Sequence, residues 1–477
     1  MSTKTLMHGI RWTLLTTILR RLVSFVLFIF IAKWLTQSDL GTYRSYSLIL
    51  VVLTYFTVWG LDSHYLVSRR QEKLNYLTLL QIGLLFSALL TVLLAFLGSG
   101  IGALYHSTEL GLLLSVSGGI VFIESLRRIV RTRAQKLLYF KALALAETLN
   151  VLVYSALCFI LIFFWRKVWL FILLFYLGNL SELLYLALIL PPLPKARLGK
   201  LFSLRTLSRS FTLGARHQGF LANVTLINLF QVFSANAPVL FLGAFVEPAL
   251  LGVFFFASQL IAIPVNMFTT SLSQVFFPLM AKGDARVNLD GIRRYSSLVY
   301  KIGIPALFAY ALALQYLVPL IWGSKWIQAL PLILALVLYY SSSLLHHPIS
   351  GIPYICRKPS WELYWNLITL ALRIGSLALG LLRDFSFAIL LFCLVSAVMH
   401  LVFYFMSLKL LGAKLAQELL YLLSQMPLLV VLAVSGLYLL RFSVLYILVV
   451  FAAYSIYLLL AEKDTVRRLI GLFKSSS

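Results

Sequence analysis

Arg373 sits near the middle of the apolar run 361–382. A charge at the centre of a membrane helix costs roughly 2.5–3.5 kcal/mol on the insertion scale, so something must offset it. A bound anionic ligand would do so, because a guanidinium fork matches carboxylate or phosphate oxygens bidentately. An ion pair or a backbone carbonyl on a neighbouring helix is the alternative. Arg20 and Arg21 lie inside the run 14–34. Adjacent helical positions point about 100° apart, so at most one of the two faces a cavity squarely. Snorkelling of both towards the membrane surface is the competing reading. Glu147 and Glu182 lie inside the runs 138–164 and 168–190, with no basic partner nearby in sequence. A desolvated carboxyl of this kind can take up a proton and couple transport to a proton gradient, or it can sit neutral between helices. Glu124 precedes Arg127 and Arg128 by three and four residues, a spacing that predicts an intrahelical ion pair. Asn228 and Gln231 are three apart, and Ser234 follows three later. Such a polar stripe cannot face lipid cheaply. It lines an aqueous cavity, or it glues helices together. Arg69, Arg70, Arg127 and Arg128 stand at the ends of apolar runs, where they suit a vestibule for an anionic lipid or simple anchoring.

The elements that must position these groups are membrane helices. Fourteen apolar stretches occur, at roughly 14–34, 43–63, 76–98, 110–126, 138–164, 168–190, 217–243, 249–280, 298–322, 327–350, 361–382, 385–408, 420–440 and 442–461. Each is close to the ~20 residues a helix needs to span a bilayer. Of 40 Lys and Arg, 30 fall in the N-terminus, the even-numbered connections and the C-terminus, 7 in the odd-numbered connections and three inside spans. Cationic loops stay cytoplasmic, so both termini are expected in the cytoplasm and the number of spans is even. A hydrophobic content of 61% excludes a soluble globule. The net charge of +25 is dispersed over short loops, which fits topology and anionic lipid headgroups rather than nucleic acid. Cys158, Cys356 and Cys393 are not spaced for a metal and read as small apolar residues. No nucleophile–base arrangement stands out, so no catalytic residue, metal or cofactor is expected.

The longest connection carries Pro191, Pro192, Pro194 and six basic residues, which marks a cytoplasmic linker. The expected organisation is all-α: an N-lobe of six spans at 1–190, the linker at 191–212, a C-lobe of six spans at 213–410, and a final helix pair with a cytoplasmic tail at 411–477. The turn after the first run, Thr36-Gln37-Ser38-Asp39-Leu40-Gly41-Thr42-Tyr43, echoes Glu247-Pro248-Ala249-Leu250-Leu251-Gly252-Val253-Phe254 after the seventh. Two six-span halves running in the same direction imply a pseudo-two-fold along the membrane normal, with a site between them.

Several segments resemble a known family. Ala32-Lys33-Trp34-Leu35 through Asp39-Leu40-Gly41-Thr42-Tyr43, then Trp59-Gly60-Leu61-Asp62, looks like the opening of the polysaccharide flippases. Asn236-Ala237-Pro238-Val239-Leu240-Phe241-Leu242-Gly243, Ala257-Ser258-Gln259-Leu260, Pro264 and Ser271-Leu272-Ser273-Gln274-Val275-Phe276-Phe277-Pro278 are similar to the seventh and eighth helices of the O-antigen type. Gly323-Ser324-Lys325-Trp326, Pro348-Ile349-Ser350 and Arg373 match later helices of the same group, which belongs to the multidrug/oligosaccharidyl-lipid/polysaccharide exporter superfamily. The resemblance implies transport: a polyprenyl-diphosphate-linked oligosaccharide turned from the inner to the outer leaflet of a bacterial cytoplasmic membrane, with polysaccharide polymerases and glycosyltransferases as partners. It also favours Arg21 over Arg20 as the cavity-facing arginine. Asn236 and Pro238 stand where several relatives carry an acid, so no coupling carboxylate is expected there. A cation-coupled multidrug exporter of the same superfamily is the first alternative. A polysaccharide-assembly enzyme is the second, and the absence of a large external loop argues against it.

Overall fold

The computed structural model describes residues 3–58, 60–67, 72–191, 218–282, 285–356 and 358–420. The described residues are helical and contain no strand. In chain order the helices are α1 (Thr3–Trp34), α2 (Gln37–Val58), α3 (Leu61–Val67), α4 (Glu72–Leu104), α5 (Thr108–Ser115), α6 (Gly118–Lys136), α7 (Phe140–Leu161) and α8 (Val168–Ile189). They continue with α9 (Gln218–Phe245), α10 (Pro248–Lys282), α11 (Ala285–Leu298), α12 (Ile304–Trp322), α13 (Ala329–His346), α14 (Ile352–Ile355), α15 (Pro359–Leu381) and α16 (Phe385–Leu410). Among the described residues, eight helices are long and apolar enough to cross a membrane, or nine if a bent pair counts as one span. The chain is therefore an all-helical, multi-pass membrane protein. The thirteenth and fourteenth expected spans lie outside the described residues.

The fourth apolar run differs from its expected form. It is two helices, α5 and α6, which meet at 58°. The break falls at Val116-Ser117, directly before Gly118 and Gly119, where low helix propensity and small side chains permit a kink. Ser117 is fully buried, and its Oγ is 2.7 Å from the Tyr46 hydroxyl on α2. A cluster of Tyr46, Leu90, Leu94, Leu110, Leu113, Leu114, Val121 and Ile172 packs around the bend.

The chain divides into two compact units. The first contains Met1–Phe256 and Leu363–Leu379; the second contains Ala257–Glu362 and the described residues from Gly380 onward. In the first unit only Leu35 and Thr36 separate α1 from α2. The turn is held by a capping box. Thr36 N–H donates to Asp39 Oδ2 (3.1 Å), and Asp39 N–H donates to Thr36 Oγ1 (3.1 Å). This box brings the start of α2 against the start of α10. A Cβ added to Gly41 would overlap the Pro248 carbonyl oxygen and lie 3.0 Å from the Gly252 nitrogen. A Cβ added to Gly252 would overlap the Gln37 carbonyl oxygen and lie 3.0 Å from the Gly41 nitrogen. Only residues without a side chain allow two helix backbones this close.

In the second unit α13 packs along α16, and α11 runs into α12 through a π-turn at Val299–Gly303. Its core includes Trp326, Ile333, Leu336, Phe403 and Tyr404. Polar ties cross it: Ser296 Oγ lies 2.8 Å from the Tyr404 hydroxyl, and Ser342 Oγ lies 2.9 Å from His400 Nδ1. Arg293 Nε donates to Glu418 Oε1 (3.0 Å), which keeps a buried carboxylate paired.

Candidate functional site

The first unit holds a connected cluster of charge. Its spine is α6, where Glu124, Arg127, Arg128 and Arg131 occupy positions i, i+3, i+4 and i+7 and so share one helix face. Beside lipid such a face would be prohibitive, so the partners come from neighbouring helices. Arg127 pairs with Glu124 one turn back, the ion pair expected from their spacing. Its Nη1 also donates to Glu182 Oε2 on α8 (2.9 Å). Arg131 Nη1 donates to Glu182 Oε1 (2.9 Å), and Arg131 Nη2 pairs with Glu147 Oε1 on α7. Arg20, from α1, pairs with the other oxygen of Glu147. Amides close the remaining gaps. Asn150 Nδ2 donates to Asn179 Oδ1 (2.8 Å) and Glu182 Oε2 (2.9 Å), and Asn179 Nδ2 donates to Glu124 Oε2 (3.0 Å). Arg128 turns the other way. Its Nε and Nη2 both reach Asp62 Oδ2 on α3 (3.0 and 2.7 Å), and its guanidinium lies 4.5 Å from the centre of the Tyr55 ring.

Four arginines and four carboxylates therefore balance, and α1, α3, α6, α7 and α8 are tied by charge-assisted bonds. The sequence offered no local partner for Glu147 or Glu182; the structure supplies two arginines to each, from other helices. Arg20 is engaged here, whereas Arg21 beside it is half-buried and makes no hydrogen bond or ion pair among the described residues. Arg127 and Arg128, placed by sequence at a vestibule, are in ion pairs. Arg69 and Arg70 lie outside the described residues.

Arg373, on α15, is 6% exposed. Its Nη1 donates to the Ser234 carbonyl on α9 (2.9 Å) and lies 3.4 Å from the Ser234 hydroxyl. The carbonyl is not an arbitrary one. Pro238 lies four residues further along α9 and has no N–H, so the Ser234 carbonyl has lost its usual helical donor. Arg373 supplies a replacement, which is one of the two fates its position in the apolar run had left open. Ser234 belongs to the polar stripe of α9. Gln231 and Asn228 precede it on the same helix, but their side chains lie outside the described residues. Nearer the end of α9, Arg44 Nη2 donates to Asn236 Oδ1 (2.7 Å), with its guanidinium 5.1 Å from the centre of the Phe255 ring. Sequence reasoning did not single out Arg44. It stands at the start of the apolar run 43–63, where nothing local in the sequence points to a partner 192 positions away. Among the described residues, no group of three or more His, Cys, Asp or Glu could hold a metal ion.

A family model described as "Polysaccharide biosynthesis protein" matches residues 7–331, more than half of the chain. The chain belongs to this family. A curated relative, "Teichuronic acid biosynthesis protein TuaB" of Bacillus subtilis (strain 168), is 22% identical over 368 residues, covering 76% of this chain and 74% of the relative. Among solved structures, "Lipid II flippase MurJ, inward closed conformation" superposes with a TM-score of 0.73 at 14% identity, covering 95% of this chain and 99% of that one. An inward-facing multidrug resistance MATE transporter of the MOP superfamily gives 0.60 at 15% identity, covering 83% of this chain and 96% of that one. This member of the polysaccharide biosynthesis family thus has the fold of the MOP transporters, as its sequence resemblance implied.

Proposed function

We propose that the chain is a flippase for a polyprenyl-diphosphate-linked oligosaccharide, carrying it from the inner to the outer leaflet by alternating access for O-antigen, capsule or exopolysaccharide biosynthesis. The observation that carries this reading is the combination of the polysaccharide biosynthesis family with intramembrane arginines in a transporter fold. The charge pattern supports an anionic substrate over a cationic drug. The acids Glu124, Glu147 and Glu182 are each paired with arginine, so none of the three stands unpaired to hold a cationic drug. Within this reading Arg21, Arg373 and Arg20 contact the diphosphate, and Asn228 and Gln231 hydrogen-bond the proximal sugar. Arg69, Arg70, Arg127 and Arg128 line the approach for the lipid. Glu147 and Glu182 are the candidates for ion coupling. The working parts are the lobes 1–190 and 213–410, with the linker 191–212 and the tail region 411–477. Polymerases and glycosyltransferases are the expected partners, and the chain itself performs no bond chemistry.

The decisive experiment is depletion of the protein in cells. Lipid-linked oligosaccharide should accumulate in the cytoplasmic leaflet and surface glycan should fall. Unchanged distribution of that lipid, with altered sensitivity to cationic drugs, would support the multidrug alternative instead.

The proposed location is the bacterial cytoplasmic membrane, with both termini in the cytoplasm. Support comes from the 30-to-7 distribution of basic residues between alternate connections. A reporter active only in the cytoplasm should work when fused after Ser477 or at Lys200, and should be silent at Ser107 and Ser324. Activity at Ser107 would invert the topology.

A further inference from the structure

We propose that Glu147 is an internal anion that occupies the Arg20–Arg131 pair in the absence of substrate, and that a diphosphate takes its place once the carboxyl is protonated. The inference rests on the flippase reading for its substrate class. Its basis is the way Glu147 is held. One carboxylate oxygen accepts from Arg131 on α6 and the other from Arg20 on α1. Two guanidinium groups from separate helices thus converge on the two oxygens of one small anion. The same donors suit the non-bridging oxygens of a phosphate, where charge-assisted and bidentate bonds are strongest.

Glu147 differs from Glu182 in access. The Glu182 side chain is 1% exposed and takes both Arg127 and Arg131, whereas Glu147, Arg20 and Arg131 are 20%, 20% and 27% exposed. The cluster therefore has a closed centre and a more exposed edge, and Glu147 is at that edge. The charged groups facing it are Arg20 from α1, Arg131 and, behind it, Arg127 and Glu124 from α6, and Glu182 from α8 through their shared Arg131. On its own helix the neighbouring polar groups are Thr148, whose hydroxyl donates to the Ala144 carbonyl, and Asn150. With Glu147 ionised, Arg20, Arg127 and Arg131 are matched by three carboxylates. Protonation leaves one net positive charge and two guanidinium groups without their bridging anion. A diphosphate then binds as Glu147 takes up one proton, and deprotonation of Glu147 expels it. No covalent bond changes.

The test uses the full-length protein in nanodiscs, with inorganic pyrophosphate as one probe and a polyprenyl diphosphate doped into the disc lipid as the other. For the wild type, affinity should weaken towards tenfold per pH unit as the carboxylate becomes fully ionised. Glu147→Gln should bind at least tenfold more tightly at pH 8 and lose that part of the pH dependence, leaving only the titration of the probe. Arg20→Gln in the Glu147→Gln background should remove the gain. Binding of the lipid probe but not of pyrophosphate identifies the ligand as a headgroup that needs its tail, and the same pH behaviour is then required of it. Equal affinities and equal pH profiles for wild type and Glu147→Gln, or no binding of either probe, overturn the inference. If Glu147→Gln does not fold, the wild-type profile decides once the titration of the probe itself is subtracted, since a purely structural Glu147 adds no proton-linked affinity to it. The binding assay does not involve transport, so the depletion experiment can fail while this one succeeds, and the reverse.

Discussion

Arg373→Ala is expected to abolish export of surface glycan while the protein remains inserted and abundant. Two losses coincide in this variant. The Ser234 carbonyl, already deprived of a helical donor by Pro238, loses its replacement. A buried polar group left unsatisfied costs roughly 1–3 kcal/mol, enough to lower the melting temperature but not to unfold a bundle of this size. The proposed diphosphate contact also disappears, and export falls by at least about a hundredfold if that contact contributes roughly 3 kcal/mol to the transition state. Arg373→Lys should recover part of the export, because an ammonium reaches the carbonyl but lacks the planar fork. A second change separates the two roles. Pro238→Ala returns an N–H to α9 and gives the Ser234 carbonyl a donor of its own. In Arg373→Ala/Pro238→Ala the stability should return and export should stay lost. Recovery of export in the double variant would confine Arg373 to repairing the helix.

Glu182→Ala should produce the largest loss of stability of any single change in the charge cluster. Its carboxylate is almost fully buried and accepts from Arg127, Arg131 and Asn150. Removing one partner of a buried ion pair costs roughly 3–5 kcal/mol, because the charges left behind cannot be hydrated. Here two guanidinium groups are left with only Glu124 and Glu147 to share. Glu124→Ala should cost clearly less, since Glu124 is 23% exposed and its loss leaves Arg127 paired with Glu182. The comparison is made by titrating the purified variants with denaturing detergent and following the loss of helix. Equal midpoints for Glu182→Ala and the wild type would show that the cluster contributes nothing to holding α6, α7 and α8 together.

What the sequence made legible follows from the range of each interaction. The membrane class, the helical content and most helix positions are written in apolar runs, which report local chemistry. The Glu124–Arg127 pair was legible because helical spacing alone brings the two together. The partners of Glu147 and Glu182 were not, because those contacts join residues up to 127 positions apart and no single-helix period encodes them. One signal was nevertheless present: four charged residues at i, i+3, i+4 and i+7 of α6 can be accommodated only if acids face them from other helices. The bend between α5 and α6 escaped because a run of apolar residues says how deep a segment lies and nothing about its direction. For Arg373, the cost of burial is written in the apolar run and the orphaned carbonyl in Pro238, but only the fold joins the two.

The contact between Gly41 and Gly252 has a consequence for how this architecture could arise. One glycine follows the first apolar run and the other follows the seventh, yet each meets the other through the same pair of positions. Gln37 and Gly41 on one side face Pro248 and Gly252 on the other, with equal spacing of four residues. An arrangement in which i touches j and j touches i is that of an isologous homodimer. Two copies of a single half-length ancestor would have met here across their own dyad, and joining them end to end would have left the contact intact while making it intramolecular. Fusion also removes the symmetry of the constraint. In a dimer one substitution strikes both sides at once; in the joined chain either side can change alone, but a side chain on either glycine meets the backbone of the other helix, which no compensating substitution there can remove.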